Sequence, residues 1–369
     1  MSTNKCHIAY FCASKSWGGL EMNQLRNAQW MSQRGHKVLM IVQENSKIHQ
    51  EAINSKLSIA FVNQHRKYYD VLNAVRLFRI LKKHNVSHLI VRDPKDLSLT
   101  AMVKSWRKEK LFLAYFMEMQ IGIPKRDLLH TQRYKKIDLW SCPLPWLKNQ
   151  VVELTNFPEE RTVIIPSGLE LEKYFNAVDR HTAKELLQLN PSNDYIGLVG
   201  RFDIQKGQLL LLNAFNQIKT SIQHDLVFLG ESTHGEQDDY LMELKRFVKN
   251  NNLEERVHFR PFRKDVETFY AAIDVFVMAT KAETFGMVTI EAMASGCRVV
   301  GSNKGGTVEI LNHGAYGTLF ESEDVNDLAN NLLNSIHDTD FEPKKIMEAS
   351  KKYDANQVCE LVEEALTCK

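Results

Sequence analysis

KAETFGMVTIEAMASGCRVVGSNKGGTVE (281–309) follows the apolar run DVFVMAT (274–280). A short, continuous apolar run bounded by polar residues predicts a buried strand. From Met287 the apolar positions change to helical spacing, Val288, Ile290, Ala292 and Met293, and Gly296 ends them. The stretch is a strand, a tight loop and a helix. Two carboxylates mark it, Glu283 in the loop and Glu291 in the helix. A helix starting near Met287 puts Glu291 about one turn inside it and Glu283 ahead of its N-terminus. The N–H groups of Phe285 to Val288 then face whatever occupies the crevice, which suits a phosphate. Carboxylates beside such donors can accept hydrogen bonds from sugar hydroxyls. The spacing alone equally allows Glu283 as a helix-dipole partner and Glu291 as a solvated helix residue.

Outward from this unit, 195–199 is the strongest strand of the second half and leads into GRFDIQKG (200–207) and a helix over 208–218. Arg201 and Lys206 bracket that loop. Two cations at the carboxyl end of a strand, beside a helix N-terminus, suit a diphosphate: the arginine as a planar fork, the lysine as a point charge. The plainer reading is an exposed pair beside Asp203. Further strands are expected at 226–229, 258–262, 298–302 and 317–320, an ordinary turn at Gly305, Gly306, Thr307 and Glu309, and a helix over 353–366.

The first half alternates strands (7–13, 37–42, 58–62, 88–92, 111–117, 139–142) with helical patterns such as 21–34 and 69–84. This order predicts a parallel sheet covered on both faces, with sites at the carboxyl ends of its strands. The first such end is SKSWGGLE (14–21), where Gly18 and Gly19 permit close backbone approach and Glu21 opens a helix. The dinucleotide fingerprint is absent, and a Gly-Gly pair by itself also reads as a tight turn. Asp93 and Asp96 follow the fourth strand, either as proton acceptors or as helix caps. The 69–84 helix carries Arg76, Arg79, Lys82 and Lys83 behind an apolar face, which fits a core-facing helix better than a membrane-bound one. SWRKEK, within 104–110, is the better candidate for touching lipid.

Composition sets bounds. A length of 369 residues suggests two domains, and 44% hydrophobic with 25% charged residues is ordinary for a globular protein. Cys6, Cys12, Cys142, Cys297, Cys359 and Cys368 show no metal-ligand spacing and suit a reducing compartment. The start shows no signal-peptide pattern and no stretch is long enough to cross a bilayer, so a cytoplasmic protein is expected. The net charge of +2 hides an asymmetry. Residues 1–165 carry 26 Lys and Arg against 13 Asp and Glu, or +13; the remainder carries 21 against 32, or −11. A basic half suits anionic phospholipid or an anionic acceptor, or is merely solvated. No motif supports nucleic acid.

Glu283, seven residues, Glu291, with Phe285-Gly286 after the first and Ala292-Met293-Ala294-Ser295-Gly296 after the second, resembles the signature of the retaining, nucleotide-sugar-dependent glycosyltransferases of family four (glycosyl transferases group 1). The resemblance implies an α/β GT-B fold, two Rossmann-like parallel-sheet domains facing a central cleft. The implied division is 1–165 for an acceptor-binding domain, 166–345 for a nucleotide-sugar-binding domain, and 346–369 for a helical tail packing back on the first. VIIPSGLELEKYF (163–175) resembles the family's Pro-Asn-Gly-Val-Asp segment, with Ser167, Leu169 and Glu170 substituted, and the linker is expected between about 165 and 194.

By the same resemblance, Arg201 and Lys206, with Gly200, hold the diphosphate. Glu283 contacts the donor sugar and Glu291 the ribose, while the backbone of Phe285, Gly286, Met287 and Val288 holds sugar and phosphates. Gly18, Gly19 and Glu21 face the donor phosphates and acceptor, and Arg260, Pro261 and Phe262 form the base slot. Pro261 stands where relatives often have glycine, which leaves the base open. The family's strand-end histidine is missing: Phe116-Met117-Glu118 stand there, with Glu118 or His130 as stand-ins, although His130 also reads as a first-turn helix residue with a solvated ring. The implied activity is retaining transfer of a sugar from a nucleotide-diphosphate sugar, with uridine expected, to a hydroxyl of a glycan or lipid-linked acceptor. The implied setting is polysaccharide or lipopolysaccharide biosynthesis at the cytoplasmic face of the inner membrane. No metal and no permanently bound cofactor is implied. The rivals are a non-catalytic nucleotide-sugar-binding or scaffold protein on a degenerate fold, a nucleotide-sugar epimerase and a phosphorylase.

Overall fold

The computed structural model describes residues 5–232, 239–281 and 283–367. The chain divides into two compact units, 1–168 with 355–369, and 169–354. The tail belonging with the first unit thus starts at Ala355; the helix Pro343–Ser350 lies in the second.

The first unit contains one parallel sheet of seven strands: β1 (His7–Cys12), β2 (Lys37–Gln43), β3 (Ser58–Val62), β4 (His88–Val91), β5 (Phe112–Phe116), β6 (Leu139–Cys142) and β7 (Thr162–Ile164), in the order β3-β2-β1-β4-β5-β6-β7. β7 was not expected: it is a three-residue edge strand just ahead of the expected linker, too short to show alternation. Side chains alternate between faces. Ala9 and Phe11 join a core with Leu39, Ile41, Leu77 and Leu113. Ile8, Tyr10 and Cys12 join the opposite one, with Leu25, Ala28 and Met31 of the helix Gly19–Gln33. Val358, Cys359, Val362 and Leu366 of the helix Ala355–Thr367 complete that face. Glu363 anchors this helix: its carboxylate lies 2.8 Å from both Arg34 Nη2 and His36 Nε2. His36 Nδ1 accepts from the Cys6 N–H, so its Nε2 carries the proton that Glu363 receives.

The second unit holds six parallel strands: β8 (Tyr195–Val199), β9 (Asp225–Leu229), β10 (Val257–Arg260), β11 (Val275–Met278), β12 (Arg298–Ser302) and β13 (Thr318–Phe320), in the order β10-β9-β8-β11-β12-β13. Ile196, Leu198, Phe228, Val277 and Val300 pack on Leu211, Phe215 and Leu332 from the flanking helices. Each sheet reverses its strand order beside its first strand, between β1 and β4 and between β8 and β11. Open parallel sheets take ligands at the carboxyl ends of the strands at such a reversal. No helix of the described residues is long and apolar enough to cross a membrane. Cys368 lies outside the described residues; Cys6, Cys12, Cys142, Cys297 and Cys359 are not joined in disulfides.

Candidate active site

The loops after β8 and β11 hold most of the residues singled out in the second half. After β8, Asp203 accepts the Gln205 N–H at 2.8 Å and caps a single 3-10 turn, Ile204–Lys206. Gly207, at φ +75°, then turns the chain into the helix Gln208–Ile218. Buried Gln208 donates to the Arg201 carbonyl at 2.7 Å and fixes the loop from below. The Arg201 side chain is 61% exposed, 3.9 Å from Asp203, so it reaches outward on a rigid backbone.

After β11, the loop crosses to meet it. Lys206 Nζ lies 3.2 Å from Glu283 Oε2, with both side chains partly exposed. Glu283 is held along its own backbone: it bridges Gly305, and the Gly306 N–H donates to its carbonyl at 2.8 Å. The turn at Gly305 and Gly306, read from sequence as ordinary, is therefore the support of the first carboxylate. Phe285 is buried against the Tyr353 ring, 5.9 Å between centroids. Gly286 precedes the helix Met287–Ala294 at φ +104°, a left-handed position that favours glycine. Inside that helix, bonding starts with the Thr289 N–H to the Gly286 carbonyl, 3.0 Å. Helix geometry leaves the preceding N–H groups of Met287 and Val288 without a carbonyl inside the helix. Glu291, half-buried, accepts from the Tyr270 hydroxyl at 2.9 Å, and burial holds that phenol well above its ordinary range. Tyr270 was not foreseen; a buried tyrosine distant in sequence gives no local signal.

The residues proposed for the base slot divide. The Arg260 guanidinium donates to the carbonyls of Leu187 (2.5 Å) and Gln188 (2.6 Å), so its side chain clamps the end of the helix Arg180–Leu186. Pro261 and Phe262 are exposed at the carboxyl end of β10. Gly230 donates to the Arg260 carbonyl at 3.0 Å, and Phe202 donates to the Glu231 carbonyl at 3.0 Å, tying the neighbouring loops together.

In the first unit, Gly18 opens the helix Gly19–Gln33, and buried Glu21 accepts the Gly18 N–H at 3.0 Å. At φ −152° Gly18 needs no glycine, and no atom lies within 4 Å of where a Gly19 Cβ would stand. The tight-turn reading of this pair therefore finds no support in the backbone. Glu118, past β5, is nearly buried and salt-bridged to Arg92 Nη1. Asn23 Nδ2 donates to it at 3.2 Å, and Ser167 Oγ lies 3.4 Å away. A carboxylate so surrounded is fixed in place, which suits positioning better than proton transfer. His130 bonds its own helix cap, Asp127, at 2.5 Å, and is a capping residue with a partly covered ring. Asp96 caps nothing with its side chain. It pairs with buried His65 Nε2 at 2.7 Å and accepts the Ala13 N–H at 3.5 Å, and burial lifts it to about 6.

One trio among the described residues could ligate a metal, Asp194, His224 and Asp274. It precedes β8, β9 and β11, at the amino edge of the sheet, and Asp274 is already paired with Arg180.

The family profile described as Glycosyltransferase Family 4 matches residues 17–173, and that described as Glycosyl transferases group 1 matches 193–338. Mannosylfructose-phosphate synthase of Agrobacterium fabrum is 25% identical over 288 residues, 75% of this chain and 61% of its own length. The Campylobacter jejuni N-acetylgalactosamine-N,N'-diacetylbacillosaminyl-diphospho-undecaprenol 4-alpha-N-acetylgalactosaminyltransferase is 31% identical over 47% of this chain and 46% of its own. The chain thus spans less than two thirds of these curated relatives. Among solved structures, HepE of Anabaena in complex with UDP and glucose matches with a TM-score of 0.82 at 20% identity, over 99% of this chain and 100% of that one. A glycosyltransferase from Rickettsia africae matches with a TM-score of 0.85 at 20% identity, over 99% and 100%. At such identity the likeness is one of fold.

Proposed function

Because the chain belongs to the group 1 glycosyltransferases of family four, with the GT-B fold, we propose that it moves a sugar from a nucleotide-diphosphate donor to a hydroxyl acceptor with retention of configuration. The observation that carries this reading is the convergence, at the β8–β11 reversal, of Lys206, Glu283 and the N-terminus of the helix Met287–Ala294. As the bond to the anomeric carbon breaks, the leaving diphosphate gains negative charge. Arg201, Lys206 and the N–H groups before Thr289 offset that charge from fixed positions, the kind of stabilisation that dominates many active sites. Glu283, braced by Lys206, accepts hydrogen bonds from the sugar hydroxyls. Glu291, oriented by Tyr270, takes the ribose hydroxyls.

In the first unit, the open backbone at Gly18 and Gly19 takes part in acceptor binding, and Glu118 positions rather than transfers. The donor nucleotide is uridine diphosphate and no metal takes part. The acceptor is a glycan or lipid-linked sugar, met at the cytoplasmic face of the membrane during surface polysaccharide or lipopolysaccharide synthesis.

Thermal unfolding with uridine, guanosine and adenosine diphosphates, on the intact protein and Glu291→Ala, tests the donor site. Ligand at about 100 times its dissociation constant should add ~2.7 kcal/mol. A shift with one nucleotide, diminished in the variant, is expected; no shift with any of the three overturns the reading.

A further inference from the structure

Large apolar side chains collect at one edge of the first unit. Tyr69 is 70% exposed and Leu72 86%, at the start of the helix Val71–Lys83; Leu128 is 80% and Leu129 60%, at the start of the helix Leu128–Tyr134. These helices follow β3 and β5 of one parallel sheet, so both begin at its carboxyl edge, where Gly18, Gly19 and Glu118 also lie. Tyr69, at φ +53°, stands on a ridge between two depressions. One is lined with Leu129, Arg133 and Lys136; the other with Leu72, Arg66, Arg76 and Arg79. Asp70 is the one acid among the described residues lining either, and its carboxylate accepts the N–H groups of Arg66 and Asn73 at 3.0 and 3.1 Å. The 104–110 segment, expected from sequence to touch lipid, ends the helix Leu97–Arg107 and contributes Ser105 to the first of these depressions.

We propose that this edge docks on an anionic phospholipid bilayer, with Tyr69, Leu72, Leu128 and Leu129 entering the interface and the arginines at headgroup level. Charge complementarity selects the occupant: the grooves are cationic, and the apolar tips between them gain only where hydrocarbon receives them. A soluble anionic glycan would engage the arginines and leave Leu72 and Leu128 in water. The inference deepens the lipid-linked acceptor reading on which it rests, by naming the surface that brings the catalytic edge to such an acceptor.

Sedimentation of the full chain with vesicles of phosphatidylcholine, alone or mixed with phosphatidylglycerol, tests it without requiring transfer. Binding to the mixed vesicles is expected, falling with salt. Leu72→Asp with Leu128→Asp should weaken it roughly tenfold or more, since burying one leucine is worth about that much. Arg76→Glu with Arg79→Glu should abolish the preference for the anionic vesicles, and Met242→Asp, an exposed apolar residue on the second unit, should change nothing. Thermal midpoints verify folding of each variant, and the nucleotide-induced shift is read separately, so that loss of the donor reading and loss of docking are distinguishable. Equal binding to both vesicle types, binding unaffected by the leucine changes, or binding to dextran sulfate with none to vesicles overturns the proposal.

Discussion

Gly305 offers a way to move Glu283 without changing its chemistry. A Cβ at Gly305 would stand 2.2 Å from the Glu283 carbonyl oxygen and 3.2 Å from its carbonyl carbon. The residue also sits at φ +64°, ψ −146°, a region essentially reserved for glycine. Gly314 supplies the control, with φ +99° and nothing within 4 Å of a Cβ. Alanine at 314 should therefore cost conformational strain alone, about 1–2 kcal/mol. Alanine at 305 adds a displacement: contacts under 3.0 Å essentially never occur, so the Glu283 carbonyl must move by about 0.8 Å. That disrupts the 2.8 Å bond from Gly306 and shifts the carboxylate away from Lys206. A misplacement near 1 Å can cost about a hundredfold in rate. Denaturant titrations and kcat on the two variants should show Gly314→Ala losing ~1–2 kcal/mol with its rate intact. Gly305→Ala should lose more stability and about two decades of kcat. A Gly305→Ala enzyme as active as Gly314→Ala would refute the claim that this turn sets the carboxylate.

Lys206→Ala should weaken nucleoside diphosphate binding by roughly ten- to a hundredfold, the usual worth of a hydrogen bond to a charged group; calorimetry showing unchanged affinity would remove Lys206 from the diphosphate site. Glu363→Gln addresses the tail. The hydrogen bonds from Arg34, then His36, hold the Glu363 carboxyl down at about 2 against an ordinary 4.5. A depressed carboxyl contributes stability that is fully present above 4.5 and lost as pH falls toward 2. Taken whole, that shift is worth ~3 kcal/mol, and since Arg34 is 28% exposed, screening reduces it to ~1–2 kcal/mol. The difference in unfolding free energy between the native protein and Glu363→Gln should therefore be present at pH 7 and shrink between pH 5 and 2; a difference constant across that range would show that the tail is held by packing alone.

The strand, loop and helix at 274–294 could be read from sequence because each depends on local spacing: a continuous apolar run, then apolar residues at helical intervals, then Gly296 at φ +73°. The loop over 200–207 was legible for a similar reason, its cations lying beside Gly207 and the start of a helix. What supports these residues was not legible. Gly305 meets Glu283, Tyr270 meets Glu291, and Asn23 and Arg92 meet Glu118 only through the fold, across long stretches of chain that leave no local periodicity. Asp96 shows the converse error. Its position before Leu97 suggested a cap, yet the side chain turns to His65 and Ala13 because a buried imidazole and a loop N–H are the stronger claim on it. The exposure of Leu72 and Leu128 was equally hidden, since both sit at helix starts, where the apolar pattern alone does not tell a core contact from an exposed tip.

The first unit is interrupted: the chain leaves it at Gly168 and returns at Ala355. During synthesis the second unit, continuous from Leu169 to Asp354, emerges whole before the first can be finished. Until then Ile8, Tyr10, Leu25 and Met31 line a face awaiting Val358, Val362 and Leu366. The nascent protein thus carries an open apolar seam for the time taken to translate the intervening residues, a window in which a chaperone would be engaged and a chain cut short before Ala355 would aggregate.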